Sequence, residues 1–295
     1  MKIFIILSSL IGSFFLLSCS SKYKELSNND FEPPNEFSTH LFNEYKSKAD
    51  FEAKNMHDWD SAKLYAEKAL QAAKGINIKP EEMDYWKISN NKTNELNKAY
   101  ENLMIVYNNA IKNSPYHLAI AISSLDCWAE QQEEMWQIWD INKCKDNFIN
   151  ALHEIYAKIE IKNDKDIEKK ITKNSTVSVV TENHNQKVMQ IIYFDFDKSN
   201  LSRVSISKIK NFIDKNGKNI NKYLVVGHTD TKGVKKYNYE LSIERAKKVR
   251  KILENLGVDS KLIYILGEGE NKLNVKTDDN MAHPANRRAE ISIIN

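Results

Sequence analysis

Two ionisable side chains stand in a stretch rich in turn-formers and then helix-formers. Asp230 lies in Gly227-His228-Thr229-Asp230-Thr231-Lys232-Gly233, and Arg245 closes Tyr237-Asn238-Tyr239-Glu240-Leu241-Ser242-Ile243-Glu244-Arg245. One anion and one cation, fixed beside each other by a strand, a loop and the next helix, make a receptor for a zwitterion. The planar guanidinium fork matches a carboxylate in two parallel hydrogen bonds, which a lysine ammonium does not. Such a contact, partly desolvated, contributes ~1.5 to 3 kcal/mol. Asp230 is itself a carboxylate within reach of Arg245, so an internal salt bridge is the alternative, and a pair preset when empty can open onto a ligand.

Other chemistries find less support. An acid–base role for Asp230 with His228 or Glu268 lacks a nucleophile–His order or a glycosidase-like carboxylate pair. The 7 histidines show no pair at helical ligand spacing, so no metal site and no cofactor are expected. The expectation is a binding protein, not an enzyme.

The elements that must position the pair follow from periodicity. Val188 to Phe196, Tyr223 to Val226, Leu262 to Leu266 and Ala289 to Ile294 carry the β-branched and aromatic content of strands. Ser202 to Lys215 and Glu240 to Leu256 read as helices between them, giving an α/β sandwich. His228-Thr229-Asp230 then leaves the C-terminal end of the second strand, where such folds gather ligands. Arg245 falls in the half of its helix where its charge opposes the macrodipole, so a partner is needed to favour it.

The Asp230 and Arg245 segments resemble the signature of the OmpA-like peptidoglycan-binding domain over roughly the last third of the chain. The resemblance implies that Asp230 and Arg245 hold the amino and carboxylate groups of diaminopimelate in a stem peptide. Tyr193-Phe194-Asp195-Phe196-Asp197 looks like the family's opening motif, placing Asp197, and secondarily Asp195, in the same pocket. Thr231, Asn238 and Leu241 would lie beside it, Leu241 in a core role. Asn286-Arg287-Arg288 matches the run before the closing strand, with Arg288 bracing the loops and Arg287 more exposed. The family's fold is a mixed sheet, and the implied partner is peptidoglycan.

The rest of the chain reads as a second, helical domain and an address. Lys2 followed by an apolar run to Leu17 is a signal peptide over 1–18, and Leu16-Leu17-Ser18-Cys19 looks like a lipobox. Cys19 would then carry acyl chains, palmitate among them, that anchor the protein. Ser20 in place of Asp favours the outer membrane by lipoprotein analogy, with the chain facing the periplasm. Residues 19–38, with Pro33-Pro34, read as a tether, 39–160 as an all-α helical bundle, 161–186 as a linker and 187–295 as the OmpA-like domain. Within the bundle Asp60 is the expected cap of one helix, Ser114-Pro115 opens another reaching Gln137, and Asp140 caps a fourth reaching Ala157. Cys127 and Cys144, the two cysteines left in an oxidising compartment, are expected to pair, with Trp128, Trp136 and Trp139 bracing the nearby turn. The C-terminal domain has 21 basic and 13 acidic residues. That balance suits an anionic wall and, in an exported chain without a recognition helix, not nucleic acid. The function expected is an outer-membrane lipoprotein tethering that membrane to the cell wall. The alternatives are an adaptor whose helical domain recruits an envelope protein and, less favoured, a cell-wall hydrolase.

Overall fold

The computed structural model describes residues 21–135, 138–172, 189–218 and 222–294; the expectations for the leader, for Cys19 and for Trp136 fall outside these residues. The chain forms two compact units, one of residues up to Leu103 with Tyr107–Leu152, the other of Met104–Val106 and His153 onward. In the first unit a helix α1 covers 21–28, inside the expected tether. Tyr23 and Leu26, three apart and so on one side, are both buried, and two apolar residues are too few to betray a period. Helix α2, Glu36–Phe51, is capped by the Asn35 side chain accepting from Ser38 N, and runs into a π-helical turn at Glu52–Met56. Helix α3, Trp59–Ala73, takes its cap from Asp58, whose Oδ1 accepts from the amides of Asp60 and Ser61 at 2.9 and 3.1 Å. Asp60, the expected cap, is one step inside, where its charge still complements the helix N-terminus.

Helix α4 spans Asn90–Asn113 and α5 Pro115–Glu134, opened by proline at its first position. Helix α5 stops before Gln137 because Met135 takes a left-handed conformation with φ 56°, which a continuing helix cannot accommodate. Helix α6, Ile138–Thr172, begins before Asp140 and continues well past Ala157 into the expected linker. A disulfide joins Cys127 on α5 to Cys144 on α6 across a sequence separation of 17. Closing a loop of that order contributes ~3 kcal/mol on the chain-entropy account. Trp128 packs beside it against Phe148, whereas Trp139 is exposed.

The second unit carries β1 (Met189–Tyr193), α7 (Arg203–Asn216), β2 (Lys222–His228), α8 (Lys235–Asn255), β3 (Ile263–Gly269) and β4 (Arg288–Ile294). The sheet order is β1-β4-β2-β3, with β4 antiparallel to both neighbours and β2 parallel to β3. The chain is thus a helical N-terminal region and a C-terminal α/β unit with a mixed open sheet. Ile209, Phe212 and Ile213 of α7 and Ala246, Val249 and Leu253 of α8 share one core with Ile192, Val225 and Ile291 of the strands. Helix α8 lies so close to β2 that a Cβ on Gly227 would sit 1.9 Å from the Ser242 carbonyl oxygen. That approach holds the first half of α8 against the end of β2, where the loop residues emerge.

The helical unit is organised around buried carboxylates. Asp126 on α5 accepts the Tyr45 hydroxyl and the Lys68 ammonium, each at 2.6 Å, and the Glu81 amide at 2.7 Å. One side chain therefore ties α2, α3 and the α3–α4 connection to α5. One turn on, Glu130 accepts the Tyr65 hydroxyl at 2.5 Å while its Oε1 is buried with no hydrogen-bond partner, an exception among interior polar groups. Burial pushes the Glu130 carboxyl up to about 7, aided by Glu134 and opposed by hydrogen bonds from Ser61 and Tyr65 and by Lys48. Burial likewise pushes Glu52 up to about 8, with Glu130, Glu134 and Asp58 adding repulsion and Lys48 opposing it. Both folded values lie above the ordinary 4.5. The stabilisation is therefore complete below that ordinary value and is lost as pH rises towards about 8. Hydrogen-exchange protection of the α5 amides is expected to fall over that interval, by up to about 1.4 kcal/mol per pH unit for each proton released. Glu130→Gln, which keeps an acceptor for Tyr65, flattens the dependence; an unchanged slope would remove Glu130 as its source.

Candidate functional site

The loops that leave β1 and β2 and the loop that enters β4 converge beside the N-terminal half of α8. Arg245, 1% exposed, projects into them from the middle of α8, because that helix starts at Lys235, before the Glu240 start that the sequence indicates. At mid-helix the macrodipole is not the issue. Its guanidinium donates to three main-chain carbonyls: Nε to Lys198 at 3.0 Å, Nη1 to His228 at 2.8 Å and Nη2 to Asp195 at 3.3 Å. The alternative of an internal Asp230–Arg245 salt bridge is not formed; the guanidinium hydrogen-bonds to neutral carbonyls and lies 5.2 Å from the Phe194 ring centroid. Burial first, then the nearby Arg287, pull its proton affinity down to about 10, against the opposing pull of Asp230, Asp197 and Tyr237.

Asp230 pairs with Arg287. Its Oδ2 accepts from Arg287 Nη1 at 3.2 Å and from the His283 amide at 3.2 Å, while Oδ1 takes no hydrogen bond among the described residues. The expectation that Arg287 is the more exposed of the two arginines is therefore corrected: Arg287 is 1% exposed, its Nε donating to the Phe194 carbonyl at 3.3 Å. Arg288 instead turns along β4 and grips Glu290 Oε1 through Nε and Nη2 at 2.9 and 2.7 Å, with Nη1 on the Lys272 carbonyl. Consecutive residues entering a strand face opposite ways, and the sequence does not say which faces the site.

The other named residues fall around this centre. Thr231 Oγ1 accepts the Met281 amide and lies within hydrogen-bond reach of the Asp278 and Met281 carbonyls, clasping the loop before β4. Asn238 donates to the Asp230 carbonyl and, at 2.6 Å, to Glu270 Oε2. Asp197, left-handed at φ 53°, accepts the Tyr237 hydroxyl at 2.5 Å on the rim. Asp195 contributes its carbonyl to Arg245 and sends its carboxylate outward to Lys198 at 3.5 Å. Leu241 is half-buried. Sequence reasoning misses Tyr237 and Glu270, which carry no motif signal of their own, and it names Arg287 but expects it to be exposed. Among the described residues no group of three or more His, Cys, Asp or Glu could hold a metal ion.

Three histidines of this unit are kept neutral. Burial, with Arg288 and Lys272, lowers His228 to about 3, although the Glu290 carboxylate is 3.4 Å from Nε2. That carboxylate is already engaged by Arg288, so burial and the positive neighbours win. Burial with Arg287 lowers His283 to about 4, against Asp230, and burial with Lys208 lowers His153 to about 3.

The family model described as "OmpA family" matches residues 193–287. The "Peptidoglycan-associated lipoprotein" of Haemophilus influenzae is 31% identical over 112 residues, 36% of this chain and 71% of its own length. "Outer membrane porin F" of Pseudomonas fluorescens is 34% identical over 106 residues, 35% of this chain and 32% of its own. The chain thus spans about a third of that porin, and 53% of the similar "Outer membrane protein A" of Bordetella avium. Among solved structures, the OmpA-like domain of FopA1 from Francisella tularensis is 28% identical with a TM-score of 0.31, covering 36% of this chain and 75% of that one. The peptidoglycan-associated lipoprotein from Burkholderia pseudomallei is 26% identical with a TM-score of 0.32, covering 36% and 90%.

Histidine burial sets an acid limit on this unit. Folded values depressed below the ordinary 6.5 stabilise above it, and that stabilisation is lost as pH falls through the interval down to about 3. Urea unfolding followed by sheet-unit amide signals is expected to show stability falling between those limits, by up to about 1.4 kcal/mol per pH unit per histidine. His228→Phe removes one histidine's share of that slope, and a slope left intact would refute the assignment.

Proposed function

Because this chain belongs to the OmpA family through residues 193–287, we propose that its C-terminal unit binds peptidoglycan non-covalently, holding the diaminopimelate of a stem peptide between Arg245 and Asp230. The observation that carries this reading is the state of Arg245. It places three N–H groups on carbonyls and none on a carboxylate, out of the five that a guanidinium offers. A buried cation whose hydrogen bonds go only to carbonyls favours an incoming anion, and a ligand carboxylate supplies one. Asp230 offers Oδ1 to the ammonium end of the same zwitterion, with Arg287 and the His283 amide fixing its other oxygen. Asp197, Thr231, Asn238 and Arg288 position the surrounding loops, and Asp195 acts through its main chain. No reaction is catalysed in this reading; the unit holds and releases.

The whole chain then serves as a tether. Acyl chains on Cys19 hold it to the outer membrane with its units in the periplasm, and the C-terminal unit holds the wall. Support comes from the lipobox-like leader and from the Haemophilus influenzae relative, whose name joins lipid and peptidoglycan. A second reading, an adaptor that recruits an envelope protein through the helical unit, is favoured by the exposed Met135, Ile138 and Trp139 around the α5–α6 turn. The two readings are compatible.

Alanine is a poor probe at either position. Arg245→Ala leaves three loop carbonyls without their donor, at ~1 to 3 kcal/mol each where buried. Asp230→Ala strands the Arg287 charge, a loss of ~3 to 5 kcal/mol. Asp230→Asn and Arg245→Lys keep much of the scaffold while removing the charge or the fork. In co-sedimentation of the full chain with purified sacculi, each is expected to bind at least about tenfold more weakly, ~1.4 kcal/mol, with unchanged circular dichroism. Free stem peptide should displace the wild type without release of soluble wall fragments. Undiminished binding by the folded variants would sink the clamp, and release of fragments would favour a hydrolase.

A further inference from the structure

Helix α1 changes what the first residues after Cys19 can do. Cys19 stands two positions before Ser21, the first described residue of α1. Consecutive Cα atoms are about 3.8 Å apart, so Ser21 lies within ~8 Å of Cys19 whatever the backbone does between them. Helix α1 does not carry the chain away from the helical unit. Leu26 is buried, the Tyr23 hydroxyl donates to Asp50 Oδ1 at 2.7 Å, and the Tyr23 ring meets Trp59 edge-on at 6.2 Å. No length of free chain separates the residue expected to carry lipid from the packed body of the unit.

The corner against which α1 lies exposes three large apolar side chains among polar ones. Phe51 at the end of α2, Met56 at the end of the π turn and Trp59 at the start of α3 are 49%, 42% and 41% exposed. These three large apolar side chains stand close in sequence, one of them in contact with Tyr23, and each keeps two fifths or more of its surface exposed. We propose that this corner is a membrane-contact surface: Phe51, Met56 and Trp59 enter the boundary between headgroups and acyl chains of the bilayer that holds Cys19. The proposal rests on the lipoprotein reading above.

The side-chain chemistry fits that occupant. Tryptophan and tyrosine, apolar bodies with one polar edge, are favoured at the membrane–water boundary. Lys54, which reaches Asp50 at 2.7 Å, carries its charge on a long apolar stem near the same corner, and Lys24 follows Tyr23 on α1, exposed. Such stems lie along apolar surface while the ammonium meets lipid phosphate. Met135, Ile138 and Trp139, which are more exposed still, lie over a hundred residues from Cys19 in sequence, which makes them the internal comparison.

The acylated full chain, reconstituted in vesicles of phosphatidylethanolamine with a minority of phosphatidylglycerol, can be photolabelled by a phospholipid bearing a diazirine near the headgroup. Peptide mass mapping reads the label and the acyl mass on Cys19 together. Residues 51–59 are expected to take at least about tenfold more label than residues 135–139, equivalent to ~1.4 kcal/mol. Label spread evenly, or concentrated at 135–139, on a chain with acylated Cys19 overturns the surface and leaves the lipoprotein reading standing. A Cys19 peptide without acyl mass overturns the lipoprotein reading and the surface with it. If residues 51–59 escape label yet cross-link to a protein in intact envelopes, the corner is a protein interface and the proposal fails.

Discussion

One guanidinium determines how the C-terminal unit is put together. Arg245 donates to carbonyls on the loop after β1 and at the end of β2, and thereby fixes from a helix the positions of two strand exits. Charge-assisted donors to carbonyls are strong, and in a dry site they hold backbone that would otherwise wander. The second arginine, Arg287, extends the arrangement by joining Asp230 to the Phe194 carbonyl. Gly227 permits the close approach of α8 that makes this possible, since any side chain there would meet the Ser242 carbonyl. The candidate site is therefore not a decoration on a finished fold; its cation is also the bolt between the elements that form it. A ligand arriving there meets an arginine whose rotamer freedom, of order ~2 kcal/mol, has already been lost on folding.

The strands and helices of this unit are legible because their periods differ and their boundaries carry glycine, proline and serine. The membership of the site is legible as well: Asp197, Asp230, Thr231, Asn238 and Arg245 do come together. Their pairing is not. Sequence proximity favours Asp230 with Arg245, but the earlier start of α8 turns Arg245 towards carbonyls, and the chain's closing loop delivers Arg287 to the aspartate. Contacts between residues so far apart in sequence depend on strand register and loop path, which no local pattern records. In the first unit the miss is of another kind. Helix α1 has too few apolar residues to announce itself, and a helix so short is marginal alone; its helicity rests on Leu26 and Tyr23 finding a body to pack on.

The two units handle buried charge in opposite ways. The helical unit places carboxylates inside, satisfying Asp126 fully with a lysine, a tyrosine and an amide while leaving Glu130 half-satisfied. The sheet unit buries arginines against carbonyls, one aspartate and one glutamate, and keeps His153, His228 and His283 neutral. Networks of this kind contribute little net stability compared with apolar packing of the same volume, because desolvation offsets most of the attraction. Their effect is to make one arrangement much better than its neighbours, since each partner left unmatched is costly. Both interiors are thus specified by polar geometry as much as by the apolar cores around them.

The short helix α1 bears on mechanics. Tension applied at the N-terminal end of the first unit enters through α1, and α1 is attached chiefly by one leucine and one tyrosine. Pulled from its end it peels contact by contact, whereas an element pulled along its length must give up its contacts together. Helical backbone rises ~1.5 Å per residue and extended backbone ~3.4 Å, so unwinding two turns of helix releases roughly 15 Å of length. The disulfide-braced helices behind it need not deform to supply that length. The segment that reads as a tether in the sequence is, folded, a reserve of length, and under the tether reading proposed above it acts as a short spring between membrane and wall.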